Sequence, residues 1–305
     1  MGRGHSHTGT GVQHRSRLVI VLFLSLAVLA FEVVAAWITG SLALLADAGH
    51  MLGDTAGLVM ALAAMSIAQI AGHPESRRTF GYHRTEILAA ALNGLVLLGL
   101  SAWIAVHAIQ RFDDSPEIDG ALMFVAGGIG LVANLIGLLL LRQGAQESLN
   151  VRGAYLEVLG DALGSVAVIL AAALIWANGW YLADPIASLV IAAMIVPRAV
   201  SLLREVVDVL LEGTPRDVDL AELRSHIVEM DGVRDVHDLH VWTISSGLPV
   251  MSAHVVVEDD VTELNQAEAV LDRLRSCLAE HFDVEHSTFQ LEPAGHADKE
   301  THLHH

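Results

Sequence analysis

The sequence predicts an all-α membrane domain of six transmembrane helices, followed by a cytoplasmic α+β domain of ferredoxin-like αββαβ type. Three observations carry this prediction. The 305 residues are 53% hydrophobic with a mean hydropathy of +0.51, too apolar for an ordinary soluble chain of this length. The apolar residues fall into six runs, each close to or above the ~20 residues a helix needs to cross hydrocarbon. Beyond about Glu212 the runs stop and shorter periodic segments begin.

The predicted spans are Leu18–Ile38, Leu42–Ala71, Ile87–Ile109, Ala121–Leu141, Ala154–Ala177 and Leu182–Leu203. The first follows Arg15 and Arg17 as a signal peptide would. It is long, lacks an A-x-A cleavage pattern and contains Glu32, so it reads as a retained helix. Orientation follows from the arginines of the short loops. Arg3, Arg15 and Arg17 precede span 1, Arg77, Arg78 and Arg84 separate spans 2 and 3, and Arg142 and Arg152 separate spans 4 and 5. Arg198 and Arg204 mark the end of span 6, whereas the alternate loops hold only Arg111. The asymmetry puts both termini in the cytoplasm.

Residues 212–305 hold six Lys/Arg against twenty Asp/Glu, a net −14 of the chain's −18. So acidic a domain argues against a nucleic-acid partner, and fits either a cation partner or a plain solvated surface. Asp217–Met230 has helical spacing, "GVRDVHDLHVWTIS" alternates as a strand, and "LPVMSAHVVVED" reads as a second strand. Thr262–His281 is a periodic helix and "EHSTFQLEP" a closing strand. A sheet with helices on one face, a ferredoxin-like domain short of its first strand, accommodates that order. So small a domain gains from association with a second copy. The domain boundaries are 1–16 (a disordered, His-containing tail), 17–211 (membrane), 212–292 (cytoplasmic) and 293–305 (a second disordered, His-containing tail). Cys277, the single cysteine, allows no intrachain disulfide.

Ionisable residues inside the spans are the informative ones, because each costs about 2.5–3.5 kcal/mol near the bilayer centre. His50 and Asp54 in "GHMLGD" are four residues apart and stack on one helix face; Glu157 and Asp161 in "YLEVLGD" repeat the device on span 5. Facing each other, these four groups enclose one cation. Three carboxylates left unpaired in lipid cost about 9 kcal/mol, which a divalent metal offsets, and one imidazole with three carboxylates suits tetrahedral zinc. A proton-sharing carboxylate cluster that holds helices together is the alternative. Gly49, Gly53 and Ala48 on span 2, with Gly160, Ala162 and Gly164 on span 5, are expected to let those two backbones approach. Metal and protons compete for such groups, so a site opened alternately to each side exchanges one for the other. Glu32, Asp47 and Asp184 read equally as interhelical contacts or as parts of a pathway; Asp47, one turn before His50, is placed to assist proton or metal entry. Asn93 and Asn134 read as contacts between helices.

The segments "SLALLADAGHMLGD", "RRTFGYHRTEILAAALNG", "NVRGAYLEVLGDALGSV", "DPIASL", "VHDLHVW" and "SAHVVV" together resemble the cation diffusion facilitators. The similarity is greatest to the zinc/cadmium/cobalt efflux branch of bacteria and the related animal zinc transporters, and it runs from about Arg17 to Glu292. It implies six helices, a cytoplasmic ferredoxin-like domain, a homodimer and zinc/proton antiport through a site of His50, Asp54, Glu157 and Asp161. At the first position of the second pair the family's zinc transporters commonly have His, where this chain has Glu157. That makes the site harder and more negative, and leaves open the rank of Zn²⁺, Cd²⁺, Co²⁺, Fe²⁺ and Mn²⁺. The resemblance also carries a regulatory zinc site onto His237, His254 and Glu292, with His240 and His286 as weaker candidates. On a regular strand His237 and His240 point to opposite faces, so only one of them joins a given site. In the loop "GHPESRRTFGYHR", with His73, Glu75 and His83, some bacterial relatives bind metal through one Asp and two His. Glu75, Arg78 and Tyr82 stand at the corresponding positions here, so that site is expected to be dismantled.

The expected protein is therefore not an enzyme, holds no organic cofactor, and works in a prokaryotic inner membrane, consistent with one cysteine, one lysine and short loops. Its partners are divalent metal ions, protons and a second copy of itself. Two rivals remain from other classes. An intramembrane metalloenzyme needs an open coordination position and a general base, and nothing resembles HExxH. A proton-coupled carrier of an organic substrate leaves the cytoplasmic His/Glu set unexplained.

Overall fold

The computed structural model describes residues 8–68, 78–143, 145, 149–245, 248–282 and 286–296. His73, Glu75 and both ends of the chain lie outside them. Six long helices come first: α1 (Thr8–Thr39), α2 (Leu42–Ala68), α3 (Thr85–Gln110), α4 (Gly120–Leu141), α5 (Leu149–Asn178) and α6 (Ala183–Leu210). Helix α1 starts at Thr8, so part of the segment expected to be a disordered tail is helical. Among the described residues, five helices are long and apolar enough to cross a membrane: α1 from Val19, α3, α4, α5 from Val151, and α6. The chain is an integral membrane protein. It divides into two compact units, Met1–Val59 with Leu92–Leu202, and Met60–Ala91 with Leu203–His305.

The first unit is apolar both inside and on its outer surface. Its core is built around Leu42, Leu44, Ile104, Met123, Ile191 and Ile195 with many alanines, while Phe23, Leu92, Leu139 and Leu170 point outward as lipid-facing surface. Trp37, Trp176 and Trp180 are exposed near the C-terminal ends of α1 and α5, as amphipathic rings that favour a membrane–water boundary would be. Glycines set the close approaches. A Cβ at Gly127 would press on Val168 and Ile169 of α5. Gly49, Gly53 and Gly57 of α2 face Leu100, Leu97 and Asn93 of α3 instead of α5. The expectation for span 2 is thus corrected: its four-residue glycine stripe packs on α3. Gly160 and Gly164 of α5 are the ones turned toward α2, meeting His50 and Asp47.

Asp184 of α6 holds the start of α2. Its carboxylate accepts from Ser41 Oγ (2.6 Å) and from the backbone N–H groups of Leu42 (2.9 Å) and Ala43 (3.1 Å), and Arg111 Nη1 donates to it at 3.1 Å. The carboxylate is fully buried and satisfies donors that a helix N-terminus leaves free, complementing the positive end of the helix dipole.

The second unit carries α7 (Leu220–Val228), β1 (Val233–Thr243), β2 (Pro249–Val257), α8 (Leu264–His281) and β3 (His286–Glu292). The sheet order is β1-β2-β3, with β1 antiparallel to β2 and β3 parallel to β2 through the α8 crossover. Val236, Val241, Met251, Ala253 and Val255 pack with Leu223 and Ile227 of α7 and Leu274 and Leu278 of α8. The opposite sheet face carries the alternate positions, including Ser252, His254, Gln290 and Glu292. Helix α6 ends in a Schellman turn: Gly213 N–H donates to Asp208 O at 2.8 Å and Glu212 N–H to Val209 O at 3.2 Å, with Glu212 at φ +58°.

Candidate metal centres

The i, i+3, i+7 spacing of Asp47, His50 and Asp54 puts all three on one face of α2, and Glu157, Asp161 and Ser165 form the matching row on α5. His50 Nε2 lies 3.6 Å from Asp161 Oδ1 and 3.9 Å from Asp54 Oδ2. One donor atom from each of His50, Asp54 and Asp161 falls within 4.8 Å of the others. Tetrahedral zinc with bonds of about 2.0–2.2 Å spaces its ligand atoms roughly 3.3–3.6 Å apart, close to the two distances from His50.

Glu157 is not one of the three donors of that triangle and is paired with Arg198. Arg198 of α6 donates Nη2 to Glu157 Oε1 at 2.7 Å and Nη1 to Asp54 Oδ2 at 2.8 Å, bridging one acid from each pair. Sequence reasoning used Arg198 only as an orientation marker. The available signal was an ionisable residue placed directly after Pro197, inside α6 and inside the predicted span. The proline also removes one helical N–H there, a local cause of bending.

In the second unit, His237 Nε2 lies 3.1 Å from Glu292 Oε2 and His254 Nδ1 2.9 Å from Glu292 Oε1. The two imidazoles meet edge to face, 5.1 Å between centroids. Glu292 is only 2% exposed, and Gln290 Nε2 donates to its Oε1 at 2.7 Å. Three neighbouring strands supply this row, because His237 pairs with His254 and Glu292 with Val256 in the register. His237 Nδ1 is buried with no hydrogen-bond partner among the described residues. Two imidazoles and a carboxylate so placed fit a borderline divalent ion such as zinc.

The strand argument about His240 is corrected by this register. His237 pairs with His254 and His240 with Ser252, so β1 spends three steps where β2 spends two. The extra residue is a β-bulge, with Asp238 at φ +48°, and it returns His240 to the face of His237. His240 and His286 are both exposed, and neither joins a three-donor cluster among the described residues. His83 joins none either. Arg78 stacks its guanidinium over the Tyr82 ring, 5.0 Å to the centroid.

A polytopic membrane protein with one group of side chains on its long helices that could hold a metal ion, and a second such group beside a small sheet, has the features of a metal-handling membrane protein. Family comparison sharpens the class: the model described as "Cation efflux transmembrane domain" matches residues 18–211, and "Cation efflux protein, cytoplasmic domain" matches residues 215–294. The chain belongs to the cation efflux family. It is 45% identical to the metal cation efflux system protein CzcD of Cupriavidus metallidurans over 99% of this chain and 95% of that protein. It is 38% identical to a cadmium, cobalt and zinc/H(+)-K(+) antiporter of Bacillus velezensis, covering 98% and 95% of the two chains. Zinc transporter ZitB of Escherichia coli is 40% identical, covering 96% and 93%.

Proposed function

We propose that this protein exports divalent metal cations from the cytoplasm in exchange for protons, with Zn²⁺ as the preferred cargo and Cd²⁺ and Co²⁺ also carried. The observation that carries the reading is the convergence of His50, Asp54 and Asp161 from α2 and α5 within helices that belong in lipid. In this reading α2 is the sixth span, both termini are cytoplasmic, the membrane domain is 17–211, and residues 212–292 form a ferredoxin-like domain that pairs with a second copy. The relatives named for cation efflux and antiport support the same activity.

Binding requires His50 neutral and the carboxylates ionised, so cation and protons exclude each other. Glu157 is the fourth ligand, released from Arg198 as the cation enters. The guanidinium otherwise neutralises Asp54 and Glu157, lowering the cost of an anionic cluster in low dielectric. Opening alternately to each side then moves metal outward against entering protons. His237, His254 and Glu292 hold a regulatory zinc ion that stabilises the domain pairing when cytoplasmic metal is high; when bound there, the ion supplies cross-linking charge and no chemistry.

The test is a metal panel in proteoliposomes with simultaneous pH recording, comparing the natural chain with Glu157→His. Saturable zinc flux with opposite proton flux is expected. Glu157→His should shift preference from harder cations toward zinc. An unchanged metal profile would remove Glu157 from the ligand set.

A further inference from the structure

The mechanism above leaves a second group of buried acids without a task. Glu32 of α1 and Asp47 of α2 are 0% and 1% exposed. Both carboxylate oxygens of Glu32, and Oδ1 of Asp47, have no hydrogen-bond partner among the described residues. No ion pair of the described residues includes either acid. The space they occupy is shaped for them. A Cβ at Gly130 of α4 would collide with Glu32 Oε1 while lying 3.1 Å from Ser165 Oγ, and one at Gly164 of α5 would collide with Asp47 Oδ1. Ser165 Oγ donates to Asp47 Oδ2 at 3.4 Å and accepts from Asn134 Nδ2 at 3.3 Å. Two glycines, a serine and an asparagine from α4 and α5 thus enclose two carboxyl groups from α1 and α2.

We propose that Glu32 and Asp47 form a proton-binding station separate from the cargo site and on its extracytoplasmic side. This rests on the antiport reading of the His50 site. Position follows from chain direction. Helix α2 begins at the extracytoplasmic side, so Asp47 precedes His50 on the way in; α5 runs outward, so Ser165 lies beyond Asp161. The donor set consists of oxygens, with no imidazole among them, unlike the cargo triangle. Neither Glu32 nor Asp47 joins a three-donor cluster among the described residues, and the Asn134 amide is spent donating to Ser165, so a metal ion would lack ligands. A buried carboxyl without a donor is held most cheaply as the acid, whose own O–H becomes the missing donor. Asp161 on α5 and Asp47 on α2 are the charged groups facing Glu32; His50 lies one turn from Asp47 on the same face, and α4 contributes only neutral Asn134.

Coupling follows from charge. A divalent ion among His50, Asp54 and Asp161 lies about one helical turn from Asp47 and disfavours the proton on the pair. The O–H bond of one carboxylic acid breaks, the carboxylate stays, and the proton is released past the cargo site to the cytoplasmic side from which the cation entered. When the cation has left, a proton from outside restores the acid. Entry of metal from one side and of protons from the other would then use different residues, coupled by electrostatic repulsion as well as by direct competition.

The full-length chain in proteoliposomes and in detergent tests this, with zinc as the probe and protons counted per zinc bound and per zinc transported. Glu32→Gln should bind zinc with an affinity close to the natural chain's, release about one proton fewer per zinc, and lose most of the acceleration that a pH gradient gives to flux. Asp47→Asn, which keeps shape and can still meet the Ser165 hydroxyl, should show the same deficit and guards against a folding failure in the first variant. Unchanged proton counts in both variants would overturn the station and leave zinc/proton exchange standing. Lost zinc binding in both would also overturn it, making the pair part of the cargo site, as would a deficit that follows potassium instead of pH. If the natural chain itself moves zinc without protons, the antiport reading fails and the station with it.

Discussion

The two donor clusters draw on the same two ligand types, one imidazole with two carboxylates in the first unit and two imidazoles with one carboxylate in the second, and differ in construction. In the membrane, two helices deliver His50, Asp54 and Asp161, with 3.6–3.9 Å between the imidazole and the acids, and Arg198 holds Asp54 from the other side. In the second unit, three paired strands deliver His237, His254 and Glu292 at 2.9–3.1 Å, with Gln290 buttressing the carboxylate. Helices that pack through glycines can shift, whereas neighbouring strands are fixed by their hydrogen-bond ladder. A looser donor set with an internal rival cation suits passage. A tight set braced by an amide suits retention.

That contrast can be broken most easily at the acids. Asp161→Asn should reduce zinc flux by at least about a hundredfold, because a ligand is lost along with the charge balance, while His237→Ala should leave saturated flux nearly intact. Equal losses in both variants, measured in the same vesicle assay, would abolish the distinction between passage and retention. Arg198→Gln should act in the opposite sense. Removing the competing guanidinium is expected to lower the KM for zinc about tenfold, equivalent to ~1.4 kcal/mol, and to lower kcat through slower release. A raised KM would mean that Arg198 organises the acids and does not compete for them.

Two smaller effects sharpen the other side. Zinc at about a hundred times its Kd should stabilise a 212–292 fragment by ~2.7 kcal/mol, read as a rise in Tm that His237→Ala removes. Gln290→Leu leaves every ligand in place but frees Glu292 to reorient, so zinc affinity of the same fragment should fall about tenfold by calorimetry. No change would show that the strands alone fix the carboxylate.

The membrane site was largely legible because helical period converts spacing into a shared face. HxxxD and ExxxD needed no other information to be placed in rows, and lipid made their charge conspicuous. Arg198 escaped notice because the positions one turn either side of it on α6 (Met194, Ile195, Ser201 and Leu202) carry no charge, and its partners sit more than forty and more than a hundred residues away in sequence. The glycine stripe of α2 was visible as a pattern, yet its partner helix was not, since small residues specify close packing without naming what packs. In the second unit the element order could be read from period-2 and period-3.6 patterns. The bulge at Asp238 could not, because one inserted residue leaves the hydrophobic pattern readable while reversing the face of every side chain after it. Hence His240 was assigned to the wrong side of the sheet.

The central claim is that the intramembrane acids exchange a divalent cation for protons. Zinc flux and luminal pH recorded together in vesicles, with and without an imposed pH gradient, test it most directly. The account predicts zinc movement that accelerates with an opposing proton gradient, is accompanied by proton counterflow, and disappears in Asp54→Ala. Zinc flux of equal rate without a gradient, with no proton movement, would contradict it.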